Sequence, residues 1–313
     1  MRAAGVTEFG GPEALHLIEV PEDHAGPGEV RLRVTAATVN PTDTYLVLGA
    51  YAERDPVKEP PYVPGMDVAG VVDEIGEGVD RPDLAVGTRA MGIVVPSGAH
   101  GGYRESIVLP ADSVVPVPAG ASDAEAATLP MNGLTARLSL DLMGLQPGQV
   151  LAVTGAAGAY GGYVVQLAKA DGLTVVADAS EADEELVRKL GADLVVRRGD
   201  DVADRIREHF PEGVDALADG SVQDALVLPA VRDGGKVATV RGYRGDGQRG
   251  LQVFPTLVRR VATDRASLDR LRQQAADGVV SLRVARTFPA AEAAQAHRVL
   301  ARGGTRGRLV LTF

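Results

Sequence analysis

The chain has 313 residues, 45% of them hydrophobic, a formal net charge of −10 and no cysteine. That length exceeds the usual size of a single hydrophobic core, so two domains are expected, and the missing cysteine excludes disulfides, thiolate catalysis and every cysteine-based zinc site. The dispersed acidic charge lacks the electrostatic footprint of a nucleic-acid binder, and no run of about 18 apolar residues could span a membrane.

Behind its arginine, the opening MRAAGVTEFGG has no apolar core of the kind an export leader needs, so a cytoplasmic protein is expected. Up to about Pro118 the segments RAAGV, ALHLIEV, EVRLRVTAATVN, DVAGVVDEIG, GTRAMGIVV and YRESIVLP are short, β-rich and punctuated by glycine and proline. Their spacing predicts an all-β, barrel-like domain. From about Ser122 helices alternate with short apolar strands (VLAVTG, LTVVADA, DLVVR, VDALADG, KVATV), the pattern of βαβ units around a parallel sheet. After LQVFP come a helix over Ser267–Ala276, the strand LRVARTF, the helix PAAEAAQAHRVLA and the strand GRLVLTF, pieces that could close either domain. The tract Gly242–Gly250, GYRGDGQRG, reads as a mobile loop.

In VLAVTGAAGAYGGYVVQLAKA, Gly155, Gly158 and Gly161 stand at GxxGxxG spacing between a strand and a helix. Small residues there let the backbone approach a pyrophosphate, and the helix start favours its charge. The loop residues Gly155, Ala156, Gly158, Ala159, Tyr160 and Gly161 are therefore the candidate coenzyme contacts. The next strand ends on Asp178, about 20 residues past the middle glycine, where a carboxylate would bond the ribose 2′-hydroxyl and favour NADH unless a nearby arginine compensates. Asp178 also reads as a surface cap for the following helix, and Ser180 as either a helix cap or a ribose contact.

Several separated motifs then agree: GPGEVRLRVTAATVNPTDTYLVLGAY (Gly26–Tyr51), PGMDVAGVVDEIGEGV (Pro64–Val79), VGTRAM, GGYRESIVLPADSVVPVPAGAS (Gly101–Ser122), AATLPMNGLTA, KLGAD, DGGKV and the closing AHRVLARGGTRGRLVLTF. With these the chain resembles, over nearly its whole length, the zinc-free quinone oxidoreductases of the medium-chain dehydrogenase/reductase superfamily. The NxxDxYxxxGxY element, with Asn40, Asp43, Tyr45, Gly49 and Tyr51, is its most specific mark.

The resemblance implies an α/β protein with a GroES-like β-barrel catalytic domain (1–121 and 266–313), a Rossmann domain with a doubly wound parallel sheet (122–265) and an active site in the cleft. It also implies a homodimer through the edge strand LQVF. Zinc-dependent relatives carry a cysteine near Asn40 and a GHE motif where this chain has Gly65, Met66 and Asp67, so no metal site is expected. The five histidines show no ligand spacing. The implied activity is NAD(P)H-dependent hydride transfer, without zinc, to a quinone or other α,β-unsaturated carbonyl, a planar small molecule. Tyr45 and Tyr51 suit such a substrate, with rings to pack on it and a hydroxyl to donate to its carbonyl. By resemblance, Asn40 lies at the cleft and Thr135 and Met131 on the helix under the nicotinamide. The two tyrosines and Asn40 also read as a small core and a turn cap before Pro41.

Three departures stand out. Asp183 occupies the position where NADPH-preferring members often carry lysine, which with Asp178 tilts the coenzyme toward NADH. Arg241 replaces a glycine, to grip an acidic substrate or to block the cleft. Tyr160 replaces a smaller residue inside the glycine loop, so its ring must point away from the pyrophosphate or alter how the coenzyme lies. An enoyl, alkenal or secondary-metabolism tailoring reductase, and a crystallin-like coenzyme-binding protein with little catalysis, are the alternatives.

Overall fold

The computed structural model describes residues 1–313. In chain order it has β1 (Arg2–Gly5), β2 (His16–Glu19), β3 (Glu29–Val39), α1 (Pro41–Val47), β4 (Asp67–Ile75), β5 (Arg89–Ile93), β6 (Ser106–Pro110) and β7 (Val114–Pro116). Next come α2 (Asp123–Ala126), α3 (Pro130–Met143), β8 (Val150–Thr154), α4 (Ala159–Ala170), β9 (Thr174–Ala179), α5 (Glu184–Lys189), β10 (Leu194–Arg197), α6 (Val202–His209), β11 (Val214–Asp219), β12 (Val231–Thr239) and β13 (Gln252–Pro255). The chain closes with α7 (Arg265–Ala276), β14 (Val284–Pro289), α8 (Ala293–Ala301) and β15 (Arg308–Thr312). It divides into two units, Met1–Met131 with Val261–Asp277 and Leu282–Phe313, and Asn132–Arg260 with Gly278–Ser281.

In the first unit a seven-stranded sheet runs β14-β15-β3-β4-β5-β7, with β6 also paired to β3, and β1 and β2 form a separate antiparallel pair. Strand β3 organises this unit. Its first half alternates, sending Val30, Leu32 and Val34 into the core and Arg31 and Arg33 outward, while Ala36–Val39 is buried throughout. Strand β15 lies between β14 and β3, so the last residues of the chain complete the sheet begun by the first, and Phe288, Leu309 and Leu311 share its core with Leu32 and Ile107. Pro41 begins α1 and Pro130 begins α3, positions where a missing N–H costs no hydrogen bond.

The second unit is a six-stranded, wholly parallel sheet in the order β10-β9-β8-β11-β12-β13. From β8 the chain winds outward through β9 and β10, then returns to the other side of β8 for β11, β12 and β13. The reversal makes a switch point between β8 and β11, and open parallel sheets bind ligands beyond the carboxyl ends of such strands. The tract Gly242–Gly250 carries no strand; its far end is tied down by Arg249, which donates to Asp233 at 2.7 Å and to the Leu228 carbonyl at 3.2 Å.

Candidate active site

The glycine loop follows β8 at the switch point. Gly155 leaves the strand with φ +65°, and a Cβ on it would lie 2.8 Å from the Gly220 carbonyl carbon. A Cβ on Gly161 would lie 2.4 Å from the Gly155 carbonyl oxygen, so the loop folds back on its helix too closely for any side chain there. Gly158 is the N-cap of α4 and supplies no capping side chain. Backbone alone therefore presents the positive end of a twelve-residue helix, an arrangement that fits a dinucleotide pyrophosphate.

Tyr160 turns its hydroxyl inward, 2.8 Å from Ser139 Oγ, which is itself 3.0 Å from Thr256 Oγ1 and donates to the Thr135 carbonyl at 2.9 Å. Its ring lies against Gly220, where an added Cβ would meet Tyr160 Cδ1 at 2.9 Å. Burial pushes the phenol well above its ordinary range. The Tyr160 hydroxyl is thus engaged by α3 and its ring by the turn that follows β11.

Asp178 is buried at the carboxyl end of β9, and its Oδ1 accepts from the Ala156 N–H at 3.1 Å. Burial raises its pKa, opposed by hydrogen bonds from Ala156 and Gly155 and by the charge of Arg198. Thus the carboxylate holds the glycine loop instead of capping the next helix. Ser180 donates its hydroxyl to buried Asp183, and Arg241 is solvent-exposed just past β12. Sequence reasoning missed Asp219. It is buried at the end of β11, where it accepts from Thr154 Oγ1 at 2.7 Å, Ser221 Oγ at 3.2 Å and the Asp224 N–H at 2.8 Å. These bonds hold a loop in which Val222 and Asp224 have φ of +59° and +54°, a conformation that side chains with a Cβ adopt at a cost.

In the first unit, Asn40 is the N-cap of α1 and is fully buried. Its amide donates to Asp67 Oδ2 at 2.8 Å and to Thr38 Oγ1 at 3.2 Å. Asp67, also fully buried, accepts further bonds from Thr38 Oγ1 at 2.6 Å and from the Met131 N–H, while burial raises its pKa. A second carboxylate, Asp43, accepts from the Asn40 N–H at 2.8 Å, the Gly65 N–H at 3.0 Å and Tyr103 Oη at 3.1 Å. Desolvation drives it up to about 7 against those bonds. Tyr103 Oη stands 3.2 Å from His297 Nε2, and Thr44 Oγ1 is 3.4 Å from its Nδ1. Burial holds that imidazole down at about 4, so it is neutral near pH 7. Tyr45 lies on α1 with 39% of its surface exposed, and Tyr51 follows in the turn, partly exposed. The structure therefore joins Asn40 to Asp67 and Asp43 and leaves Tyr45 partly exposed on α1. The sequence signal for Asp43 was its place three residues after an N-cap asparagine, the spacing of a capping box; Tyr103 and His297 carry no local signal.

No group of three or more histidine, cysteine, aspartate or glutamate side chains is placed to hold a metal ion. Asp67 is taken up by hydroxyl, amide and N–H donors, so the residues present do not fit zinc.

The parallel sheet of the second unit, with its glycine loop at the switch point, fits a dinucleotide-binding protein, and comparison with known proteins adds that it is an oxidoreductase. Residues 26–119 match the alcohol dehydrogenase GroES-like domain, and residues 190–311 match the zinc-binding dehydrogenase model. A 2-haloacrylate reductase from a Burkholderia species is 33% identical over 99% of this chain and 98% of its own length. The quinone oxidoreductase of Mus musculus is 30% identical over 99% and 97%. A mycobacterial structure complexed with NADPH superposes with a TM-score of 0.87 at 28% identity, covering both chains completely. The chain belongs to the quinone oxidoreductase branch of the medium-chain dehydrogenase/reductase superfamily, as its motifs implied.

Proposed function

We propose that this enzyme uses a reduced nicotinamide dinucleotide to reduce a planar small molecule, a quinone or an α,β-unsaturated carbonyl, without zinc. The observation that carries the reading is the glycine loop at the switch point, closed too tightly for side chains and braced by buried Asp178. The names of the quinone oxidoreductase and 2-haloacrylate reductase relatives support the acceptor class. Bound coenzyme supplies the hydride. The loop of Gly155, Ala156, Gly158, Ala159 and Gly161 lets the pyrophosphate approach the start of α4, with Asp178 and Ser180 at the adenosine ribose and Thr135 and Arg241 further along the coenzyme. Tyr45 and Tyr51 receive the acceptor, a hydroxyl donating to the oxygen on which negative charge develops. Asn40 acts as a positioning residue, because its amide is engaged with Asp67 and Thr38.

The proposed domains are 1–121 with 266–313 for catalysis and 122–265 for coenzyme. We further propose a cytoplasmic homodimer joined through β13, which lies at the edge of its sheet with one side open to pairing. Titration with NADH and with NADPH, followed by nicotinamide fluorescence, and then turnover with 1,4-benzoquinone and a simple enone, test the reading. Binding of neither coenzyme sinks it; binding without turnover of either acceptor leaves a coenzyme-binding protein.

A further inference from the structure

Two carboxylates in the sequence argue for NADH, Asp178 by repelling a 2′-phosphate and Asp183 by standing where a cation would hold it. In the fold both are committed elsewhere. Asp183 is buried and bonded by the Ser180 hydroxyl, and Asp178 faces the glycine loop, accepting from Ala156. What stands beside them instead comes from the neighbouring strand. Strand β10 pairs with β9 in parallel, with Val196 opposite Asp178 and Arg197 opposite Ala179, and the Arg198 N–H donates to the Ala179 carbonyl at 2.9 Å. This register sets Arg198 alongside Ser180 and on the same face as Asp178, close enough for its charge to act on that carboxylate.

The guanidinium of Arg198 is exposed and takes part in no hydrogen bond or ion pair, unlike the arginines around it. Arg188 pairs with Glu184 at 2.7 Å, Arg197 with Glu181 at 3.5 Å and Arg205 with Asp201 at 2.6 Å. A cation left unpaired at the adenosine end of a dinucleotide site, with the local carboxylates turned inward, has the chemistry of a phosphate receptor.

We propose that Arg198 is the coenzyme-specificity residue of this protein, receiving the 2′-phosphate of the adenosine ribose, so that NADPH is bound in preference to NADH. The proposal rests on the reading that the glycine loop binds a nicotinamide dinucleotide. It differs from what the sequence at positions 178 and 183 implies, because the cation enters from β10 and not from the segment that follows β9.

The test is calorimetric titration of NADPH and NADH into the wild-type protein, Arg198→Gln and Arg197→Gln at low and high salt, with melting curves for each variant. Wild-type protein should bind NADPH at least about tenfold more tightly than NADH, with the margin shrinking as salt rises. Arg198→Gln should lose about tenfold or more for NADPH and less than about threefold for NADH. Arg197→Gln, whose cation is already paired at the surface, should change either affinity by less than about threefold. Preference for NADH in the wild type, or equal losses of both coenzymes in Arg198→Gln with an unchanged melting point, overturns the proposal while leaving the dinucleotide site intact. Failure of the wild-type protein to bind either coenzyme overturns the dinucleotide reading itself, and this proposal with it.

Discussion

At the scale of single residues the coenzyme loop is decided by space and by where hydroxyls point. A methyl group on Gly161 would overlap the Gly155 carbonyl, which is backbone and cannot swing away. Gly161→Ala should therefore weaken dinucleotide binding by about tenfold or more, since the loop must open to admit it; unchanged affinity in a fluorescence titration would show that the loop is not the pyrophosphate site. Tyr160→Phe should do the reverse, changing affinity by less than about threefold while destabilising the fold by about 1 kcal/mol in urea unfolding, because its hydroxyl bonds to Ser139 beneath the loop. In the other unit, Asn40→Ala removes the amide donor from buried Asp67 Oδ2 and leaves Thr38 and Met131 to hold the carboxyl. A loss of about 1–3 kcal/mol in the same measurement is expected. Asn40, Asp67, Asp178 and the glycine spacing were legible in the sequence and Asp219 was not; the direction each polar group takes was not legible either, since partners such as Ser139 or Met131 are remote in the chain.

At the scale of elements, α1, the 101–104 segment and α8 are joined by a chain of hydrogen bonds running from Asp43 through Tyr103 and His297 to Thr44. With Asp43 ionised it can only accept, so Tyr103 donates to it, His297 Nε2–H donates to Tyr103, and Thr44 donates to Nδ1. The two titrating groups, Asp43 and His297, bias stability in opposite directions. Asp43, ordinarily near 3.8 and raised to about 7, holds its proton better when folded, so its contribution is lost as pH rises from about 4 through 7. His297, ordinarily near 6.5 and lowered to about 4, refuses a proton when folded, so its contribution is present above 6.5 and is lost as pH falls toward 4. Relative to wild type, Asp43→Asn should gain stability as pH climbs from about 4.5 to 6.5, and His297→Gln should lose it over the same window. Difference curves from urea unfolding that are flat with pH would show that these groups do not titrate differently on folding. Asn40 before Pro41 was readable as a turn cap, yet nothing in the order of residues says that a helix follows it or that α8 packs its histidine against Tyr103.

For the whole molecule, the decisive feature is the return of the chain to its first sheet. Because β15 is wedged between β14 and β3, Leu311→Ala should destabilise the first unit by about 2–5 kcal/mol, as truncation of a fully buried leucine does elsewhere. Ending the chain at residue 306 should remove that unit's cooperative unfolding transition in urea, since it strips Leu309 and Leu311 from the core and bares β3. Retention of a wild-type transition would show that β15 is dispensable. From sequence the last helix and strand could have closed either half; their alternation and length set what they are, not which sheet they join. The sequence by itself determined the β-rich texture before Pro118, though not the helix α1 within it, together with the βαβ alternation after Ser122 and the glycine loop, because each rests on local periodicity or spacing. The tertiary structure alone decided that β15 pairs with β3, that Tyr160 lies under the loop, and that Asp178 faces Ala156 with Arg198 beside it. Those outcomes depend on sheet order and register, which bring together residues that no local pattern connects.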